Sequence, residues 1–475
     1  MSSRRVTGDV AIQIAALVAN VAIGVVVTAV LARQLGAVGF GAWSTIFAVV
    51  GITGYLSDLK MQEVAIREIA AAPATESAWL GALVTLQVAL VVPVAIATAG
   101  ALLLVSHGAQ MRIAAVIVAA SGLASVLSVM GVVFRLRVRN DLTMAALTFN
   151  SVAWAAAVVT IAAAGGGIVA FALAFTACTV ASAILTAVLA RRRASLRLRG
   201  FRERWRLLAR TGFVLGLAGF LSLGHSQIDQ LIVYELAPHR VDAGLYGGLN
   251  RVLIRAMTLP NALLTTLFPL IAAAVIDDIK RARRLVQSAL EYLAMISLPA
   301  FGFTLVAAKP ILALLYGPGF VSAANTLPVV MGSFVVSCWG YVSANMVIIL
   351  GLQRRFVAYV SSGLCLNIAL NLMIVPRYGY RGAAWITVIT ESLVIGLSLR
   401  AVLRALRMRV KLNRLIRVAA IAAIVTLLLL ALRSASDSLL PLGAAAAVAY
   451  PALLIASGTL DRTELRALLA RRPTG

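Results

Sequence analysis

The sequence predicts an all-α polytopic membrane protein with about 14 transmembrane helices. These form two six-helix lobes related by pseudo-twofold symmetry, plus two C-terminal helices. Three observations carry this. Of the 475 residues, 61% are hydrophobic and 12% charged, with a mean hydropathy of +0.98, far outside soluble composition. Apolar stretches long enough to cross a bilayer alternate with short basic loops. Weak sequence matches recur between the two halves.

The spans fall near residues 10–32, 41–57, 79–105, 112–134, 142–163, 168–190, 211–235, 245–271, 292–308, 326–350, 357–376, 382–403, 416–433 and 439–457. The stretch from Val10 lacks a small-residue cleavage site, so it is expected to stay as a signal-anchor helix. The repeat aligns Gly39 with Gly244, Asn150 with Asn367, and GGIVAFALAF (166–175) with YRGAAWITVI (380–389). Six spans per repeat is an even number, so both repeats enter the membrane in the same sense, as parallel repeats do. The expected organisation is an N-terminal lobe at 1–205, a C-terminal lobe at 206–410, and accessory spans with a tail at 411–475.

Charge sets the orientation. Of 42 Lys and Arg, 33 fall in the segments on the side of the N-terminus. Seven fall opposite: Arg33, Arg112, Arg240, Lys309, Arg377, Arg381 and Arg433. Arg251 and Arg255 complete the set. This bias is expected to place both termini in the cytoplasm. A formal charge of +25 distributed this way orients a membrane protein and does not indicate nucleic acid. The runs 191–210 and 404–417 have two readings: amphipathic helices drawn to anionic lipid, or simple positive-inside anchors.

Several functions lose support. No Gly-x-x-x-x-Gly-Lys phosphate loop occurs. His107, His225 and His239 are too scattered for a metal site, and no His-Glu-x-x-His is present. Cys178, Cys338 and Cys365 lie in separate apolar spans and read as structural thiols. No cofactor is expected, and nothing supports an enzyme.

The most informative stretch is the hairpin 211–271. Its arms suit a bilayer, yet the first carries His225 and Asp229 and the second Arg251 and Arg255. Charges at such depth cost about 2.5–3.5 kcal/mol each on insertion scales, so they should face an interior or wet cavity. Each pair is spaced i,i+4 and shares a helix face. A turn about residue 240 sets Asp229 level with Arg251 and His225 level with Arg255, roughly 10 Å below the outer surface. In one reading, Arg251 and Arg255 grip an anionic head group through forked donors. Asp229 and His225 then act as counter-charge and proton-sensitive partner. In the other, a buried Asp–Arg pair pins two helices. Asn20, beside Gln13 on one face, and Asn367, beside Asn371, are candidate substrate contacts or interhelical hydrogen-bonding groups. Glu391 is a candidate proton carrier. Pro260, Pro269, Pro299 and Pro328 mark kinks or span ends.

LARQLGAVGFGAWSTIFAVVGITGYLSDLKMQEVAIREIA (31–70) resembles the first hairpin of polysaccharide export proteins, the oligosaccharide-lipid flippases. Residues 228–271 are similar to their seventh and eighth helices, through Asp229, Gly244 with Tyr246, and Phe268 with Pro269. YGPGFVSAANTLPVV (316–330) and YGYRGAAWITVITESL (378–393) resemble the regions entering helices ten and twelve. The resemblance spans about residues 10–405. It implies a V-shaped transporter of the multidrug, oligosaccharidyl-lipid and polysaccharide exporter superfamily. Many O-antigen flippases have twelve spans, two fewer than expected here.

The expected function is translocation of a polyprenyl-diphosphate-linked oligosaccharide to the outer leaflet. Its partners would be that glycan, membrane lipids, and the glycosyltransferases and polymerase of the same pathway. An ion-coupled antiporter of small cations and a non-transporting scaffold for glycan assembly are the rivals. A cavity for cations should be acidic, whereas this one is expected to be basic.

Overall fold

The structure is a computed structural model that describes residues 3–58, 60–137, 139–192, 202–433 and 438–460. The described residues are helical, with no strand among them. The helices are α1 (Ser3–Asp58), α2 (Met61–Ala71), α3 (Glu76–Val105), α4 (Ala109–Ser121), α5 (Ser125–Ser128), α6 (Val132–Leu136), α7 (Asn140–Ala163) and α8 (Ile168–Arg191). They continue as α9 (Arg202–Leu236), α10 (Asp242–Ala256), α11 (Thr258–Asp277), α12 (Ile279–Tyr316), α13 (Leu327–Ile349), α14 (Gln353–Ala405), α15 (Leu412–Arg433) and α16 (Leu439–Ala456). The chain divides into two compact units, Met1–Gly247 and Gly248–Gly475.

The protein is a multi-pass helical membrane protein. Among the described residues, 11 helical stretches are long and apolar enough to cross a bilayer. Gln353–Ala405 holds two predicted spans, Ala19–Ala71 holds the second and the later part of the first, which begins earlier on α1, and the seventh predicted span lies on α9. Every predicted span therefore falls on helix. Large apolar side chains face outward, among them Val88, Val92, Ile96 and Leu103 on α3. In water such a face would be a liability, whereas lipid accepts it.

Glycine and proline set the breaks. The helices on either side of Gly36 run together in α1, and Gly36 itself has φ 64°. Gly379 does the same inside α14, at φ 54°. Only glycine reaches such angles without steric cost. Gly165, at φ 70°, precedes the eighth helix at the repeat position equivalent to Gly379. The eighth predicted span is split into α10 and α11 around Met257. Pro260 lacks the N–H that would continue the ladder onto Ala256, so the helix interrupts there. The fourth predicted span is segmented into α4, α5 and α6 by 3₁₀ turns. Within it, the Ser121 and Ser128 hydroxyls donate back to the Val118 and Ala124 carbonyls, a local competition that tightens a helix.

Helix α2 was not anticipated. Its sequence, MQEVAIREIAA, is too short and charged to read as a span, but Met61, Val64, Ala65 and Ile69 are buried. They join Trp79, Leu83, Phe134 and Leu208 in the core of the first unit. The basic run 191–210 also differs from a separate surface helix. Residues 193–201 lie outside the described residues, and from Arg202 onward the run opens α9. There the Trp205 indole N–H donates to Thr85 Oγ1 at 3.0 Å, and the Arg204 guanidinium lies 5.5 Å from the Trp79 ring centroid. In the second unit, α15 and α16 pack on α12 through Val306, Val425, Leu429 and Leu442. The expected tail, 461–475, lies outside the described residues.

Candidate functional site

In the first unit, α9 carries His225, Asp229 and Gln230, all buried. Apolar residues surround these polar groups in sequence, so their partners must come from other helices. The Tyr246 hydroxyl, from α10, donates to Asp229 Oδ2 at 3.0 Å. Gln230 Nε2 donates to the Ala243 carbonyl at 3.0 Å and to Thr45 Oγ1 at 3.3 Å. Thr45 in turn donates to the Gly41 carbonyl at 2.9 Å. These bonds tie α1, α9 and the start of α10 together.

The same crossing depends on glycine. A Cβ on Gly244 would overlap the Ala37 carbonyl, and one on Gly41 would lie 2.8 Å from the Gly244 nitrogen. The close backbone approach leaves the Asp229–Tyr246 and Gln230–Thr45 bonds at ordinary length. His225, one turn before Asp229, has both ring nitrogens buried and without a hydrogen-bond partner among the described residues. A buried imidazole in that state costs about 1–3 kcal/mol per missing bond.

In the second unit, Arg251 and Arg255 lie one turn apart on α10 and are half-buried. Within this unit neither forms an ion pair among the described residues, and Arg255 Nε is buried without a partner. In the same unit the Tyr316 hydroxyl donates to the Gly248 carbonyl at 3.1 Å. Gly248 leaves room for the Tyr316 and Phe320 rings, which a Cβ there would meet at 3.3 and 3.1 Å. Among the described residues of this unit no carboxylate pairs with either cation. Asp229 belongs to the first unit and Arg251 to the second.

The remaining sequence candidates sit elsewhere. Asn20 Nδ2 donates to Thr148 Oγ1 at 3.3 Å, linking α1 to α7. Gln13 lies in α1 with its side chain outside the described residues. Asn367 is fully buried. Its Nδ2 donates to Thr390 Oγ1 at 3.3 Å, and Asn371 Nδ2 donates to both its Oδ1, at 3.1 Å, and its carbonyl, at 2.9 Å. The bond to Thr390 joins the two halves of α14, so the surroundings of Asn367 support hydrogen bonding between helices. Glu391 is half-buried and accepts from Ser337 at 3.0 Å.

Sequence reading passed over Gln230 and Thr45. It also missed the aromatic cluster in which Trp43 stacks on Trp154, with centroids 6.1 Å apart, and Phe47 meets Phe175 edge-on at 4.8 Å. The signal was present as four aromatics on spans two, five and six, but only the fold brings them together. A cavity of about 500 Å³ in the second unit is lined by Lys309, Trp385 and Arg433 among others. Among the described residues no group of His, Cys, Asp and Glu could hold a metal ion.

Comparison with solved structures places the fold. The chain is similar to the lipid II flippase MurJ in an inward closed conformation, at 12% identity and a TM-score of 0.70, covering 96% of this chain and 99% of that one. It is similar to a multidrug resistance MATE family transporter of the MOP superfamily, inward-facing, at 16% identity and a TM-score of 0.69, covering 82% and 94%. A third similar structure is a MOP superfamily transporter from Pyrococcus furiosus described by the reverse polarity of its binding pocket. It matches at 17% identity and a TM-score of 0.57, covering 83% and 96%. No curated protein matches the chain in sequence. The family of polysaccharide biosynthesis proteins matches residues 30–325. Over more than half its length the chain carries that family's sequence pattern, and it belongs to the polysaccharide biosynthesis protein family.

Proposed function

We propose that this protein carries a polyprenyl-diphosphate-linked oligosaccharide from the cytoplasmic to the outer leaflet of a bacterial inner membrane. The glycan then feeds the assembly of a cell-surface polysaccharide. The observation that carries this reading is the pair Arg251 and Arg255: two adjacent cations inside an apolar helical array, with no ion-pair partner in their own unit among the described residues. A diphosphate supplies the missing negative charge and accepts forked donors from each guanidinium. The family, and the likeness to a lipid II flippase, support a lipid-linked cargo.

In this reading the lobes 1–205 and 206–410 rock about the cargo, and 411–475 is an accessory pair of spans with a tail. Both termini are cytoplasmic. Asp229 and His225 provide the counter-charge and the proton-sensitive group that lets the head group go. Asn20 and Glu391 are secondary contacts, while Asn367 joins helices. The movement involves no covalent chemistry. Glycosyltransferases and a polymerase of the same pathway supply and consume the cargo.

The fold likeness to a multidrug transporter keeps the antiporter as a second reading. The arginine pair speaks against it, because a site for cations needs acidic lining. The test is Arg251→Ala with Arg255→Ala, at matched expression, in cells that depend on the protein. Build-up of a lipid-linked oligosaccharide with loss of surface polymer is expected. Unimpaired polymer export would remove the head-group role.

A further inference from the structure

The second unit holds a cavity of about 610 Å³ whose charged lining is Arg400, Arg404, Arg407 and Arg409, with Leu399 and Leu403 in the apolar wall. From the sequence, 404–417 reads as one continuous run, either an amphipathic helix or a positive-inside anchor. The structure instead ends α14 at Ala405 and starts α15 at Leu412, so the arginines gather at a turn.

The turn itself is unusual. The Met408 N–H donates to the Leu403 carbonyl, and the Arg407 N–H to the Arg404 carbonyl. This pair of bonds closes a helix through a residue in the left-handed region, a place that glycine usually fills. Here the residue is Arg407, at φ 46°. A non-glycine residue is strained at such a position. The chain thus holds a guanidinium where the backbone alone would favour none.

All four arginines are exposed, and none forms an ion pair with a carboxylate among the described residues. The negative end of the α14 dipole offsets only a fraction of one charge. Beside them, Leu393, Leu397, Leu412 and Ile416 are exposed as well. A basic cavity thus opens next to a lipid-facing apolar surface, at the end of a membrane-spanning helix on the arginine-rich side.

We propose that this cavity binds the headgroup of an anionic lipid carrying two phosphates, while its acyl chains lie along the neighbouring leucines. Phosphate oxygens match the forked donors of arginine. Clusters of basic residues at the cytoplasmic end of spanning helices are suited to anionic headgroups. The volume exceeds that of a single inorganic anion and suits a headgroup. The site is separate from the arginine pair of α10 and does not rest on the transport reading.

The probe is cardiolipin, a two-phosphate lipid, present as a minor fraction in phosphatidylcholine nanodiscs. Bound lipid is read by native mass spectrometry. The telling variant is Arg407→Gly, because glycine relaxes the turn while removing the charge. It is expected to keep or raise the Tm and to weaken cardiolipin retention about five-fold, and Arg404→Ala with Arg407→Gly about 25-fold. Phosphatidylglycerol should be retained more weakly than cardiolipin. Arg251→Ala with Arg255→Ala should retain cardiolipin as wild type does. Wild-type occupancy in the Arg404→Ala, Arg407→Gly protein would overturn the site. So would displacement of all bound cardiolipin by low concentrations of soluble inorganic diphosphate, which would make this a site for a free anion.

Discussion

The Tyr246 hydroxyl and the Asp229 carboxylate meet at 3.0 Å, both buried, between α10 and α9. The carboxylate is thereby oriented by a neutral donor on the helix that also carries the arginine pair. Tyr246→Phe keeps the ring and removes the donor, leaving a buried charged acceptor short of a bond. A loss of about 1–3 kcal/mol is expected, visible as a lower Tm in detergent. Asp229→Asn keeps an acceptor and should cost less stability. If it nevertheless abolishes export, the charge itself is required.

The crossing of α1 and α10 depends on glycine at a position where the Ala37 carbonyl leaves no room for a side chain. The obstacle is backbone, so it cannot rotate away. Gly244→Ala should cost more than the about 1–3 kcal/mol of ordinary overpacking and sharply lower the yield of folded protein. Gly51→Ala, in the same unit with nothing within 4 Å of the added carbon, should express as wild type. Equal yields for the two variants would contradict the packing described.

How much of this was legible beforehand follows from the reach of each signal. The hairpin, its four charges and their pairing by helix face follow from the 3.6-residue period, which acts within one helix. The break before Pro260 follows from a missing N–H, which is equally local. Tyr246 stood out in sequence only as part of a Gly-x-Tyr turn, because its bond to Asp229 depends on the crossing of two helices. Helix α2 escaped notice because its charges mask a buried face. Arg407 escaped notice because its sequence position argues against the left-handed conformation it adopts. The burial of Asn367 needed both halves of α14 in place.

Arg414 reaches from α15 to α12, where its Nη1 lies 3.1 Å from Glu291 Oε2 and its Nε donates to the Thr459 carbonyl at 2.9 Å. The Glu291 side chain is 8% exposed. Breaking a buried pair from one side strands the other charge. Arg414→Ala should cost roughly 2–3 kcal/mol, somewhat below the fully buried range because the arginine is partly exposed. Arg414→Ala with Glu291→Gln should recover part of it. A double-mutant cycle on Tm checks this.

Asp278 lies outside the membrane spans and caps α12 by accepting from the Lys280 and Arg281 backbone N–H groups. The Arg281 N–H, chiefly, and then that of Lys280 hold its carboxyl below the usual carboxylate range. A depressed folded value means the stabilisation is complete above about 3.9, the unfolded Asp value, and is lost as pH falls through the lower folded value. Asp278→Asn should flatten that acid limb of the Tm–pH profile by lowering the Tm near neutrality, while leaving the Tm at the acid end almost unchanged.

The central claim, movement of a lipid-linked glycan, is met most directly by depleting the protein and analysing the cell's lipid extract by mass spectrometry. The account predicts build-up of one polyprenyl-diphosphate-linked oligosaccharide, together with less of the matching polymer at the surface. An unchanged lipid-linked pool in cells that still make every surface polymer would contradict it.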